Sequence, residues 1–123
     1  MRTSKCFALK LTDYLGRTFY GKRKLSIGVR VPRRHSDSYT LVPCSKFAVH
    51  AYRNLTQARV HDRYHCRHGG RGVLWLVLLY RPTSAESKLL GTSYRVLAKL
   101  GRMRDVKAPM VAKAIKRFSG LVR

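Results

Sequence analysis

The chain has 123 residues, with 27 Lys or Arg against 5 Asp or Glu, a formal charge of +22 and 45% hydrophobic residues. That length suits one domain over residues 1–123 with a modest core, and the apolar share excludes a purely disordered tail. The charge excludes an ordinary domain of mixed sign: like charges about 10 Å apart in water repel by about 0.4 kcal/mol a pair, and dozens of pairs approach the roughly 5–15 kcal/mol stability of a typical domain, so something anionic must offset them.

In chain order, the start Met1-Arg2-Thr3-Ser4-Lys5 is basic and hydroxyl-rich, with no acid before Asp13. Phe7, Leu11 and Leu15 recur at four-residue spacing, as in a mitochondrial transit helix. The competing expectation for residues 1–15 is an extension or a strand with Phe7, Leu9 and Leu11 on one face. Leu25, Ile27, Val29 and Val31 alternate with Ser26, Gly28 and Arg30 and predict a half-buried strand that Pro32 ends. Phe47, Val49 and Ala51 predict another. The unbroken apolar run Val73–Tyr80, between Gly69-Gly70-Arg71-Gly72 and Arg81-Pro82, predicts a strand buried on both faces at the centre of the fold.

Beyond Pro82 the period lengthens. Leu89, Leu90, Tyr94, Leu97 and Leu100 form a stripe at helical spacing, Thr83 with Glu86 reads as a capping box, and Gly101 closes the segment; Gly91-Thr92-Ser93 marks a break inside it. A second helix has Pro109 in its first turn, Val111, Ala114, Ile115 and Phe118 on one face, and Gly120 beyond its end. The expected architecture is therefore α+β, a small sheet of three to four strands in the first half and a C-terminal pair of amphipathic helices.

Several constellations suit a polyanion. The expected first helix carries Lys88, Arg95, Lys99 and Arg102 along one line, and the second carries Lys113, Lys116 and Arg117, in both cases without acidic partners at i+4. The stretch Arg17-Thr18-Phe19-Tyr20-Gly21-Lys22-Arg23-Lys24 sets two aromatics among four cations, a composition suited to stacking a base and holding phosphates. Arg33-Arg34-His35 forms a basic knuckle. Arg63, Arg67 and Arg71 lie in the Gly-rich segment 61–72, where glycine lets a backbone approach closely.

That segment also supplies His61, His65, Cys66 and His68, residue types that zinc accepts. Their spacing matches no usual paired pattern, and the adjacent arginines repel a divalent cation, so no metal or other cofactor is expected. The five acids are isolated, which leaves no carboxylate pair for hydrolytic or two-metal chemistry, and there is no phosphate-cradling P-loop; an enzyme and a small-molecule substrate are not expected. Cys6, Cys44 and Cys66 are too few and too scattered for a disulfide framework. The longest apolar run, eight residues, falls well short of a membrane span.

The charge is evenly shared: residues 1–41, 42–82 and 83–123 carry ten, seven and ten Lys or Arg against two, one and two acids. No basic tail is appended to a neutral body. Arg outnumbers Lys 17 to 10, and the planar guanidinium fork suits phosphate oxygens and stacks on bases. The composition resembles that of ribosomal proteins, and the acid-poor start resembles that of a mitochondrial one. That resemblance implies a structural protein that binds rRNA and contacts neighbouring ribosomal proteins, in a mitochondrial or a cytoplasmic ribosome. The alternatives are an RNA-processing or ribosome-assembly factor, and a basic accessory subunit of an organellar membrane complex that uses its charge on anionic lipid.

Overall fold

The computed structural model describes residues 4–18, 23–28, 30–32, 49–63, 69–85 and 88–122. The chain is mixed α+β. β1 (Lys5–Thr12), β2 (Arg30–Pro32) and β3 (Val49–Ala51) precede α1 (Leu55–His61); β4 (Val73–Tyr80), β5 (Thr83–Ala85), β6 (Lys88–Gly91) and β7 (Ser93–Arg102) follow, and α2 (Ala108–Arg117) lies near the C-terminus. Two antiparallel sheets form, ordered β1-β4-β7-β2 and β3-β6-β5. A bridge links them: Leu9 on the outer edge of β1 exchanges both backbone hydrogen bonds with Tyr52, just after β3, at 2.8 Å each.

β4 is the expected central strand, and all eight of its residues are buried. Leu74, Leu76, Leu78 and Tyr80 face one apolar cluster with Leu9, Leu11, Leu55, Ala58, Val106 and Val111, where Ala114 and Ile115 of α2 and Phe118 just beyond it also pack. Val73, Trp75, Val77 and Leu79 face a second cluster with Ala8, Leu25, Ala51, Leu89, Tyr94 and Val96. A strand with apolar partners on both faces needs no alternation, which is why its sequence is an unbroken apolar run. Residues 5–12 take the strand form of the two early expectations, and Leu9 and Leu11, with Phe7 against them, share a face. α2 also lies where Pro109 and Gly120 predict it.

The first helix of the expected C-terminal pair is absent, because residues 83–85, 88–91 and 93–102 are strands. β7 pairs with β4 through two irregularities, so that Leu97 and Leu100 fall between registered partners. Each extra residue slips the alternation by one and stretches the apolar spacing toward three and four, which imitates a helix. Gly91 holds the bend between β6 and β7: a Cβ there would overlap the Leu79 side chain and lie 2.9 Å from the Tyr80 carbonyl oxygen. The strand expected at 25–31 is also interrupted. Gly28 sits at φ 86, donates its N–H to the Val96 carbonyl at 2.7 Å and turns the chain, so among the described residues of this stretch only Arg30–Pro32 pair as a strand.

Candidate nucleic-acid interface

α1 was not expected from apolar periodicity, but its start is set by polar residues. The Asn54 side chain accepts the Gln57 N–H at 2.9 Å, while the Gln57 side-chain oxygen accepts the Arg53 N–H at 2.8 Å. This reciprocal cap fixes the helix that carries Arg59, whose guanidinium donates to the Val106 carbonyl at 3.1 Å. Beyond α1, the buried Asp62 accepts the Gly70 N–H through Oδ2 at 3.0 Å. Gly69 and Gly70 adopt φ of 59° and 81°. A Cβ on Gly70 would stand 2.8 Å from the Cβ of Arg104, so glycine is what allows the two segments to touch. The Arg104 N–H then donates to the Gly70 carbonyl at 3.1 Å, and the Met103 N–H to the Gly72 carbonyl at 2.8 Å.

The result is a cleft of about 790 Å³ lined by Arg59, Asp62, Arg63, Gly69, Gly70, Met103, Arg104 and Lys107. Four cations from the end of α1, the turn after β7 and the approach to α2 share it with one carboxylate. Among the described residues, Oδ1 of Asp62 has no hydrogen-bond partner. Just outside the cleft, Arg102 donates to the Arg71 carbonyl at 2.8 Å, so two more expected site residues stand side by side.

The other expected residues are dispersed. Arg17, Arg23 and Lys24 form the stem of a hairpin: Arg17 bridges Lys24, and Thr18 takes both a backbone and a side-chain hydrogen bond with Arg23, at 2.8 and 3.0 Å. Phe19, Tyr20 and Lys22 lie outside the described residues, as do Arg33, Arg34, Arg67, His65, Cys66 and His68. Lys113, Lys116 and Arg117 are exposed on α2, as expected. Lys88, Arg95, Lys99 and Arg102 do not form one helical line, since β6 and β7 are strands. Arg95 pairs with Leu78 and Lys99 with Trp75, and those two partners point to opposite faces of β4. Arg95 and Lys99 therefore present charge on opposite sides of the sheet.

Arg95 has a companion that sequence pattern did not single out. Arg30 pairs directly across from it, stacks its guanidinium 4.1 Å from the centre of the Tyr80 ring and donates to Ser93 Oγ at 3.0 Å. On the other face, the Lys99 ammonium lies 5.9 Å from the Trp75 ring. Arg59, Arg104 and Lys107 were also missed. The Asn54-Gln57 cap was the available signal for the first, whereas the latter two join the cleft only through long-range packing.

Two ionisable groups near the second cluster are held in their neutral forms. Burial pushes the His50 imidazole down to about 4, with Lys10, Lys88 and His61 adding to the effect. Burial also pushes the Tyr94 phenol up to about 12 against the opposing influence of Arg23. Lys10 donates to the His50 carbonyl at 2.8 Å and lies 5.5 Å from the Tyr94 ring. His61, the one described member of the zinc candidates, packs its ring against Tyr52 with centroids 5.0 Å apart. Among the described residues, no three His, Cys, Asp or Glu side chains are grouped to hold a metal, and no helix is long and apolar enough to cross a membrane. The chain matches no protein-family model, no curated protein and no solved structure with which it was compared, so the geometry of the site carries the functional reading.

Proposed function

We propose that the chain is a structural RNA-binding protein of a large ribonucleoprotein, a ribosome above all, in which Arg and Lys from several faces neutralise phosphates of separate rRNA helices. The apolar clusters on either side of β4 hold those faces in register. The observation that carries this reading is the cleft, where four cations converge around a single carboxylate. Arg95 and Lys99 on opposite sides of the sheet support it further, because charge on both faces suits a protein surrounded by polyanion better than one gripping a single duplex. A mitochondrial ribosome is the preferred setting, on the acid-poor start of the chain. Neighbouring proteins of the particle would cover the exposed Tyr14, Leu15 and Ile27.

The test is sedimentation of the tagged chain through a sucrose gradient before and after ribonuclease. Co-migration with a finished ribosomal subunit that collapses on digestion is the expected result. Migration only with immature particles would favour an assembly factor, and a large complex that survives ribonuclease would favour the membrane accessory subunit.

A further inference from the structure

We propose that the cleft between α1 and the turn after β7 binds clustered phosphates, two or more held close together, which on the RNA-binding reading are presented by a sharply turned RNA backbone rather than by a regular helix. The inference rests on that reading for its partner and on the cleft for its chemistry.

Three features carry it. The cations converge: Arg59, Arg63, Arg104 and Lys107 line one concave space of about 790 Å³. A regular duplex presents its phosphates in spaced rows on a convex exterior, and such rows are matched by groups spread along one open face, not by a pocket. Next, the local charge exceeds what one phosphodiester neutralises. Among the described residues that line it, four cations face one carboxylate, Asp62, whereas a backbone phosphate carries one negative charge. A backbone that doubles back supplies that charge within one small volume.

Lastly, the chain's own hydrogen bonds hold the walls of the cleft together. Asp62 spends Oδ2 on the Gly70 N–H, and Gly70 is in turn fixed to Arg104. The buried carboxylate lowers the mutual repulsion of the cations around the cleft. It also repels phosphate from the floor, so the ligand sits at the rim, where the exposed Arg104 and Lys107 reach it.

The experiment measures affinities of the full chain, at fixed ionic strength, for an RNA hairpin with a sharply turned internal loop and for a plain duplex of equal charge. Tripolyphosphate and sulfate, matched in ionic strength, serve as competitors. The variant Arg104→Gln/Lys107→Gln is compared with Lys113→Gln/Lys116→Gln, which removes equal charge from exposed positions on α2, with thermal melts confirming that both fold. The cleft variant is expected to bind the turned RNA about tenfold or more weakly, to leave duplex affinity little changed, and to lose competition by tripolyphosphate. Equal losses from both variants on both RNAs, or equal competition by sulfate and tripolyphosphate, would overturn the clustered-phosphate site while leaving RNA binding intact. Tripolyphosphate binding that depends on Arg104 and Lys107, without affinity for either RNA, would keep the site and overturn the RNA reading.

Discussion

Asp13 turns the end of β1 into a fixed corner. Its Oδ1 accepts the N–H groups of Leu15 and Arg17 at 2.9 Å each, and Oδ2 accepts from the Arg17 side chain at 3.2 Å. Burial alone would raise its pKa, but these donors outweigh it and hold the carboxyl below the ordinary 3.8. The stabilisation it brings is thus complete above that value and is lost as the pH falls through the lower folded value. Asp13→Ala leaves two backbone donors without their acceptor and is expected to cost about 2 kcal/mol in urea unfolding at pH 7. The loss relative to the parent chain should shrink in strong acid. His50 acts with the opposite charge. Since its folded value of about 4 lies below the ordinary 6.5, the unfolded chain takes up the proton first, and stability drops as the pH falls from 6.5 toward 4. Urea midpoints of His50→Leu should lose this part of the pH slope. The Lys10 hydrogen bond to the His50 backbone carbonyl remains in that variant.

At the scale of elements, β4 and β7 show why one strand is legible and its neighbour is not. The sequence Val73–Tyr80 declares a strand because both of its faces are covered and turn-forming residues flank it. Residues 88–102 carry as much apolar character, but the bend at Gly91 and the two irregularities in β7 displace it from a period of two, and the stripe then counts as a helix. α2 was legible because Pro109, its apolar face and Gly120 all agree. α1 is too short for periodicity to reveal. Two predictions follow the same elements. Gly91→Ala forces a methyl group into Leu79 and the Tyr80 carbonyl and should destabilise the chain by about 1–3 kcal/mol in thermal or urea unfolding, whereas no such loss is expected at the open Gly120. Arg95→Glu and Lys99→Glu, on opposite faces, should act independently on RNA affinity. Their combined effect in a double-mutant comparison is expected to equal the sum of the single effects within about 0.5 kcal/mol.

For the whole molecule, the decisive quantity is the even spread of +22 along the chain. Binding to structured RNA is expected to be dominated by counterion release. Its log affinity should fall by roughly 0.7–0.9 per phosphate contact for each tenfold rise in salt, and an affinity that stays flat across a salt titration would contradict the proposed function. The sequence by itself determined the sign and distribution of that charge, the central strand and the last helix, because each depends on composition or on neighbours a few residues apart. Only the tertiary structure decided where the cations meet. Arg59 and Arg63 reach Arg104 and Lys107 across some forty residues because the Gly69-Gly70 turn lies against Arg104 and the Arg59 guanidinium bonds to the Val106 carbonyl. Likewise, Arg95 and Lys99 face apart because β7 carries an extra residue between them, and the side on which a strand residue projects depends on its pairing as well as on its place in the chain.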